Sequence, residues 1–239
     1  MKPENLTTIA MDLARDADAL SFGPPVSRVY NPLRYAWRSH ALYLERYGSK
    51  PREVILLGMN PGPWGMVQTG VPFGDIEMVR DWLGIAAEVE RPRREHPKRP
   101  VKGFQCRRSE VSGRRLWGWA RKRFGTPEGF SRRFFVANYC PLSFMEESGR
   151  NRTPDRLPKT ERDPLFAVCD RALYRSILVM RPRYVVGIGK FATERATAAL
   201  KDVDAVIGGV THPSPANPKA NRGWAELFER ELAEIGILL

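Results

Sequence analysis

The sequence of 239 residues is poor in cysteine, in histidine and in negative charge, and these shortages narrow what the protein can be. Its three cysteines are far apart and form no C-x-x-C pair, which argues against a zinc site and against an iron–sulfur cluster. Its three histidines are equally scattered and form no metal-binding pair. We therefore expect buried, reduced thiols and a protein that uses neither a metal ion nor another cofactor.

Long apolar runs are also missing. No run approaches the length of a membrane span, and the first residues carry no apolar signal core. We expect no association with a membrane and an intracellular location: cytoplasm and nucleoid in a bacterium, nucleus in a eukaryote. With 27 acidic against 39 basic residues the net charge is +12, which favours an anionic partner. Nucleic acid is the leading candidate for this partner, and an anionic membrane surface or an acidic protein are the alternatives. The charge alone fits a basic enzyme with a solvated surface equally well.

Glycine and proline are abundant, at 20 residues each, and they concentrate in two segments. Residues 58–74 (the first motif) begin Gly-Met-Asn-Pro-Gly-Pro, and residues 212–218 (the second motif) read His-Pro-Ser-Pro-Ala-Asn-Pro. Glycine and proline build rigid turns that hold neighbouring polar groups in fixed positions. Because each motif follows a predicted buried strand, we expect both to lie at the carboxyl edge of a sheet, where ligands bind in α/β folds.

Hydrophobic periodicity predicts four strands that alternate with helices. The strands are predicted at 54–57, 134–137, 184–188 and 205–210, and the helices at 7–20, 32–47, 75–83, 112–124, 163–180, 190–200 and 221–235. This alternation is typical of an α/β protein, a three-layer α/β/α sandwich around a central four-stranded parallel sheet. No repeat is visible, so we expect a single domain over residues 1–239, with N-terminal helices within about 6–48.

Three neutral polar side chains follow the ends of three predicted strands: Asn60, Asn138 and His212. Each has an ordinary structural explanation, because asparagine braces turns and a loop histidine often bonds to the backbone. Their convergence on one sheet edge nevertheless indicates a functional site. Phe73, between Pro72 and Gly74, is either a core residue or a stacking surface for a planar ring.

The groups that this site lacks also indicate its chemistry. There is no Gly-x-Ser-x-Gly nucleophile, and the first motif contains no carboxylate, the first one after Asn60 being Asp75. Neutral amides and an imidazole suit a reaction with an anionic leaving group and a weak nucleophile. Hydrolysis of an N-glycosidic bond through an oxocarbenium-like state is such a reaction.

The two motifs resemble motifs one and two of the uracil-DNA glycosylase superfamily. The first motif is specifically similar to that of the single-strand-selective monofunctional uracil-DNA glycosylases, and the similarity extends over about residues 54–237. The resemblance implies a metal-free hydrolase of DNA repair that removes uracil and leaves an abasic site. No lysine in the two motifs is placed to attack the sugar, which fits a monofunctional enzyme.

The resemblance also implies roles for individual residues. Asn60 positions the attacking water, and His212 stabilises the departing uracil anion at O2 with help from the Met59 backbone. Asn138 reads the Watson–Crick edge of the flipped base, and Phe73 stacks on it. Gly62 leaves room beside C5, which implies that 5-hydroxymethyluracil is also accepted.

The DNA-binding surface is the part in which the chain departs from the family pattern. Family members carry arginine at the position of Ala216, where it wedges into the duplex, so that here the remaining candidates are Pro215, Asn217, Lys219 and Arg222. The basic segment 91–99 is a second candidate surface, its alternatives being a solvated loop or a targeting signal. Its four candidate contacts are Arg93, Arg94, Lys98 and Arg99.

The sequence thus predicts a monomeric glycosylase acting on single- and double-stranded DNA that contains uracil. One alternative is a glycosylase whose main target is another deaminated base, such as xanthine. The other is a non-catalytic nucleic-acid-binding module on the same fold, which would be favoured if Asn60 and His212 were buried.

Overall fold

The centre of the fold is a four-stranded parallel sheet, seen in a computed structural model that describes residues 4–239. The strand order is β3–β2–β6–β7, with strands β2 (Val54–Gly58), β3 (Phe134–Asn138), β6 (Tyr184–Ile188) and β7 (Val206–Val210). Strands β2 and β6 are buried throughout, as expected of inner strands covered on both faces. The four strands predicted from the sequence and their parallel arrangement are confirmed.

Helices cover both faces of this sheet. Consecutive residues of β7 face opposite sides: Gly208 lies against Ile235 beside the C-terminal helix, and Gly209 lies against Thr193 of the helix that follows β6. The α/β/α layering expected from the sequence is therefore present. The helices are α1 (Leu6–Asp18), α2 (Pro32–Tyr35), α3 (Trp37–Tyr47), α4 (Met66–Thr69), α5 (Val111–Phe124), α6 (Pro127–Ser131), α7 (Lys159–Met180), α8 (Lys190–Ala199) and α9 (Trp224–Glu234).

A second, antiparallel sheet is absent from the sequence-based prediction. It has the order β1–β4–β5, with β1 (Val26–Tyr30), β4 (Ser143–Glu146) and β5 (Asn151–Arg152). These strands are short and lack a continuous apolar run, and their main pairing joins residues more than 110 positions apart in the chain, such as Val29 and Phe144. Local periodicity carries no signal for such a pairing. Because β4 belongs to this sheet, the sheet holds the segment between the end of β3 and β4, residues 139–142.

Several helix boundaries also differ from the prediction. The helix predicted over 32–47 is broken at Ala36 into α2 and α3. The helix predicted over 75–83, capped by Asp75, is present over residues 76–82, but most of it, Met78–Trp82, is π-helical. The last helix starts at Trp224 rather than at 221, because Gly223 has a φ of +106° and separates it from a 3-10 turn, Pro218–Arg222. Within residues 4–239, no helix is both long and apolar enough to cross a bilayer.

Candidate active site

Asn60 lies two residues beyond the end of β2, and its carboxamide is fixed by the segment that leads into β4. Its Nδ2 donates a hydrogen bond to the carbonyl oxygen of Leu142 at 3.0 Å. This bond orients the other amide atom, Oδ1, for which residues 4–239 supply no hydrogen-bond donor. The side chain is half-buried rather than buried. Asn60 therefore presents a fixed acceptor at the sheet edge that a water molecule can reach.

Phe73 and Asn138 meet above the last residue of β2. Gly58 pairs in register with Asn138, and a Cβ on Gly58 would come to 2.4 Å from Asn138 Oδ1 and to 2.5 Å from the Phe73 ring. Only glycine permits this approach. Asn138 Nδ2 lies 3.3 Å from the sulfur of Met66, a weak acceptor that a better one can replace.

The backbone of Phe73 is strained. Its φ is +53°, a region that bulky L-residues rarely occupy and that costs on the order of 1–3 kcal/mol. The strain points the ring across the site toward the second motif: its centroid lies 6.0 Å from that of the His212 imidazole, with the ring planes 37° apart. The two motifs thus meet at an aromatic ring and an imidazole.

His212 is a neutral hydrogen-bond donor in this setting. Its Nδ1 lies 3.0 Å from the backbone nitrogen of Ser214, which must be the donor in that bond. Burial lowers the pKa of His212 to about 4, so that the ring is neutral at pH 7. A neutral imidazole that accepts at Nδ1 carries its proton on Nε2. The ring therefore offers an N–H donor, half-buried and held by its own loop.

An arginine of α5 braces the second motif from behind. The guanidinium of Arg115 donates to the carbonyl oxygen of Pro213 and to Oδ1 of Asn221, both at 2.9 Å. Asn221 in turn donates to the carbonyl oxygen of Pro215 at 2.9 Å. The backbone on the C-terminal side of His212 is thereby tied to two other elements.

Helix α9 holds the residue before His212. Both the backbone nitrogen and the hydroxyl of Thr211 donate to the carboxylate of Glu231 at 2.6 Å, and the indole nitrogen of Trp224 donates to the Thr211 carbonyl oxygen at 2.7 Å. His212 is therefore fixed from both sides.

Met59 and Gly62 belong to the backbone framework of the first motif. The carbonyl oxygen of Met59 accepts from the backbone nitrogen of Cys140 at 2.8 Å, which ties the motif to the end of β3. The carbonyl oxygen of Gly62 accepts from the backbone nitrogens of Gly65 and Val67, each at 3.2 Å. These bonds close a tight turn around Gly62, and the carboxylate of Glu110 packs where a side chain at this position would lie.

The candidate DNA-contacting residues of the second motif, and of the turn that follows it, lie at the surface of the protein. Pro215, Ala216, Lys219 and Arg222 are exposed, and Asn217 is half-buried because its side chain accepts from the backbone nitrogen of Lys219 at 3.1 Å. These residues follow His212 within ten positions of the chain.

The basic segment 91–99 is divided by the fold into two parts. Arg93 and Arg94 border a surface depression that Asp18 and Glu90 also line, beside the N-terminal helices. Lys98 is exposed in the turn that carries Arg99, whose guanidinium lies 5.2 Å from the ring centroid of Trp64 in the first motif. The structure thus brings only the second part to the candidate site.

Three further residues near the site carry no local sequence signal. Arg115 braces the second motif, Arg108 stacks on Trp64 with its guanidinium 4.4 Å from the ring centroid, and the carboxylate of Glu110 lies against Gly62. The first motif contains no carboxylate of its own, but the fold brings one to it from a position 48 residues away. Contacts over such separations do not appear in periodicity or in short motifs.

Comparison with known proteins identifies a family model and relatives that agree on one family. A family model described as the Uracil DNA glycosylase superfamily matches residues 45–233. A single-strand selective monofunctional uracil-DNA glycosylase from Rattus norvegicus is 49% identical over 228 residues, covering 95% of this chain and 82% of the relative. A protein of the same description from Bos taurus is 49% identical over 221 residues, covering 92% and 81%.

A solved structure shares the fold. The crystal structure of wild-type SMUG2 from Pedobacter heparinus matches with a TM-score of 0.66 and covers 95% of this chain and 97% of its own. The sequence identity is 16%, so this similarity concerns the fold alone.

Proposed function

The chain belongs to the uracil DNA glycosylase superfamily and, within it, to the single-strand selective monofunctional uracil-DNA glycosylases, and on this premise we propose that Asn60 and His212 carry the hydrolysis. The protein is a DNA-repair hydrolase that cleaves an N-glycosidic bond. The geometry of the site supports the roles that we propose for its individual residues.

The bond that breaks joins N1 of uracil to C1′ of the deoxyribose. Its electron pair leaves with the base, which becomes an anion with charge on O2, and C1′ becomes an oxocarbenium ion. The Nε2–H of His212 donates to O2 as this charge develops, with the Met59 backbone as a second donor. Asn60 Oδ1 accepts a hydrogen bond from the water that attacks C1′. Because both groups act on positions that change in the transition state, they accelerate the chemical step itself.

Recognition of the base falls to Phe73, Asn138 and Gly62. The Phe73 ring is the stacking surface, since its strained backbone holds it at the sheet edge between the two motifs. Asn138 offers an adjacent donor and acceptor to the Watson–Crick edge of the base, exchanging its interaction with Met66 for one with uracil. Gly62 is the residue beside C5 of the base, where the family resemblance implies that the lack of a side chain admits 5-hydroxymethyluracil.

The DNA partner reaches this site from the exposed side of the second motif. We propose that the protein acts inside the cell, as a monomer, on uracil in single- and double-stranded DNA. Pro215, Ala216, Asn217, Lys219 and Arg222 contact the strand around the extruded nucleotide. Of the basic segment 91–99, Lys98 and Arg99 are the better-placed phosphate contacts.

The observation that carries the proposal is the pairing of a neutral Nε2–H donor with a fixed amide acceptor at one sheet edge. His212 is neutral because burial lowers its pKa and because its Nδ1 accepts from Ser214. Asn60 is fixed because it donates to Leu142. A module that only bound nucleic acid would not need either constraint.

The proposal is tested by comparing wild-type protein with Asn138→Asp. Single-turnover excision is measured on single-stranded oligonucleotides that contain uracil, 5-hydroxymethyluracil, xanthine or cytosine. An ionised aspartate offers only acceptors, so it loses its donor to uracil O4 and gains a partner for the amino group of cytosine. We expect the variant to lose uracil activity selectively and to show measurable cytosine excision.

A wild-type preference for xanthine over uracil would shift the proposed main substrate to that base. Unchanged selectivity in Asn138→Asp would remove Asn138 from base recognition. The thermal unfolding midpoint of the variant serves as the control that folding is intact.

A further inference from the structure

Two arginines from distant parts of the chain meet at the indole of Trp64, a half-buried residue in the turn of the first motif. The guanidinium of Arg108 lies 4.4 Å from the ring centroid, and that of Arg99 lies 5.2 Å from it. At such distances the electrons of an aromatic ring attract a cation. Two positive charges are therefore held at one ring, beside the motif that contains Asn60.

A buried glutamine fixes the segments that carry this ring and one of the arginines. The amide nitrogen of Gln68 donates to the carbonyl oxygens of Pro63 and Pro100, each at 3.1 Å. These prolines are the chain neighbours of Trp64 and Arg99, respectively. Because Gln68 is fully buried, water does not compete for its hydrogen bonds. The ring and the arginine are thereby held in place before any partner binds.

The acidic side chains of this region have other partners. Asp75 accepts from a serine hydroxyl at 2.7 Å, Glu95 accepts from a backbone nitrogen at 2.8 Å, and Glu110 packs against the glycines of the first motif. Within residues 4–239, neither Arg99 nor Arg108 forms an ion pair with a carboxylate. The repulsion between the two guanidiniums is therefore not offset by a negative charge of the protein.

The two guanidiniums keep N–H groups available for an anion. Arg99 donates once, to the carbonyl oxygen of Lys98 at 2.9 Å, and the side chain of Arg108 is exposed. The planar edge of a guanidinium matches the oxygens of a phosphate group, to which it can donate two parallel hydrogen bonds. Because the ring already restricts these side chains, binding costs them less conformational entropy than it costs a freely moving surface arginine.

We infer that Arg108 and Arg99 bind a backbone phosphate of the DNA strand, and that Trp64 is the positioning residue for both guanidiniums. The inference rests on the proposed function, because it assumes that the extruded uracil is held near Asn60. Trp64 follows Asn60 by four positions, which span at most about 14 Å of chain. Since successive phosphates of one strand are at least about 3.4 Å apart, the bound phosphate lies within a few nucleotides of the uracil.

The test measures the affinity for single-stranded oligonucleotides that contain one non-hydrolysable 2′-fluoro-2′-deoxyuridine, by fluorescence anisotropy. In a series of such strands, each phosphate in turn is replaced by a neutral methylphosphonate. Wild-type protein should bind roughly tenfold more weakly when a contacted phosphate is neutralised, because a charge-assisted hydrogen bond is lost. Arg108→Gln should bind the unmodified strand roughly tenfold more weakly. At one of the sensitive positions, the methylphosphonate should then cause little further loss, because the two changes remove the same contact.

Arg107→Gln is the matched control, since it removes the same charge from the adjacent residue, which is also exposed. It should weaken binding less and leave the effect of every methylphosphonate as in wild-type protein. Trp64→Leu keeps both arginines and the net charge but removes the aromatic ring, so binding should weaken several-fold. Trp64→Phe retains an aromatic face and should recover most of that loss.

If every methylphosphonate has the same effect in Arg108→Gln as in wild-type protein, or if Arg107→Gln weakens binding as much as Arg108→Gln, the phosphate site is overturned. Equal affinities of Trp64→Leu and Trp64→Phe would overturn the positioning role of the ring. The proposed function fails on a different result: wild-type protein that excises no uracil from the same strand with ordinary deoxyuridine. The failures are therefore distinguishable.

Discussion

Residues 65–74 of the first motif are all buried, whereas residues 214–218 of the second are exposed or half-buried. The first motif is held at its carbonyl oxygens by core side chains: Tyr35 donates to Val67 and His40 to Gly70 at 2.8 Å, and Trp117 donates to Pro72 at 3.3 Å. The second motif is held by groups at the surface: the half-buried Arg115 and Glu231 and the exposed Asn221.

The difference in burial fits two different tasks of the two motifs. Phe73, the proposed stacking surface for the base, needs a position that does not change, and the buried part of the first motif supplies it. The loop that faces DNA cannot be buried on its outer side, so polar bonds brace it from behind. Rigidity at the exposed motif therefore depends on hydrogen bonds that water competes for, and rigidity at the buried motif on packing and on hydrogen bonds that are shielded from water.

The largest effect is expected at the point where the second motif acts on the transition state. Replacing His212 with Leu should lower single-turnover excision of uracil by about 10²–10³-fold, because one donor to developing charge is worth roughly that factor. DNA binding, measured by fluorescence anisotropy, should change far less. Near-normal excision by this variant would remove His212 from the mechanism.

A smaller loss is expected in the first motif. Asn60→Ala should slow turnover by about 10²-fold, because the attacking water loses its anchor while the base is still held. Asn60 also donates to Leu142, so the thermal unfolding midpoint is measured in parallel. A lower midpoint with normal excision would make Asn60 a turn residue only.

The comparison also shows what the sequence can and cannot reveal. Strand ends and motif residues such as Asn60, Asn138 and His212 are visible in the sequence, because continuous apolar runs and Gly/Pro-rich turns are local signals. Residues that complete each motif from elsewhere are not visible: Arg115 reaches Pro213 across 98 positions, and Glu110 reaches Gly62 across 48. The short antiparallel sheet is invisible for the same reason.

Each motif contains or contacts one histidine that burial keeps neutral at pH 7, so acid should reduce the stability of the fold through both of them. Burial lowers the pKa of His40 to about 4, while its Nδ1 donates to Gly70. Since the unfolded chain binds this proton at about pH 6.5, the contribution of His40 to stability is complete above that pH. It is lost as the pH falls toward 4, by up to about 3 kcal/mol at roughly 1.36 kcal/mol per pKa unit.

Urea unfolding of wild-type protein and His40→Gln between pH 7.5 and pH 4 measures this contribution. The variant should show a shallower loss of unfolding free energy across the window. His212→Gln should flatten the curve to a similar extent, because burial also lowers the pKa of His212 to about 4. Equal curves for wild-type protein and His40→Gln would show that His40 does not titrate with folding.

The two parts of the basic segment should differ in their contribution to DNA binding. Neutralising Lys98 and Arg99 should reduce the salt dependence of single-strand binding, by roughly 0.7 in log–log slope for each phosphate that the protein no longer neutralises. Neutralising Arg93 and Arg94 is the matched control with the same change of charge, and its slope should change less because these residues lie beside Asp18 and Glu90. A larger change in the control pair would place the DNA path along the N-terminal helices.

The smallest effect is expected at Ala216, at the tip of the exposed motif. Extruding a nucleotide from a duplex costs a few kcal/mol, least when the base is mismatched or already single-stranded. A side chain that fills the vacated space offsets part of this cost, and alanine is too short to do so. The enzyme should therefore act faster on single-stranded uracil and on U·G than on U·A.

Ala216→Arg should raise the single-turnover rate on U·A by several-fold while leaving the single-strand rate nearly unchanged, because no stack has to be opened there. Ala216→Gln has similar reach without the charge, so it separates filling of the gap from attraction to phosphate. If Lys219 or Arg222 already fills the gap, wild-type rates on the three substrates will be equal and neither substitution at Ala216 will raise them. In that case Lys219→Ala or Arg222→Ala should lower the U·A rate selectively, which would place the wedge in the turn that follows the second motif rather than at its tip.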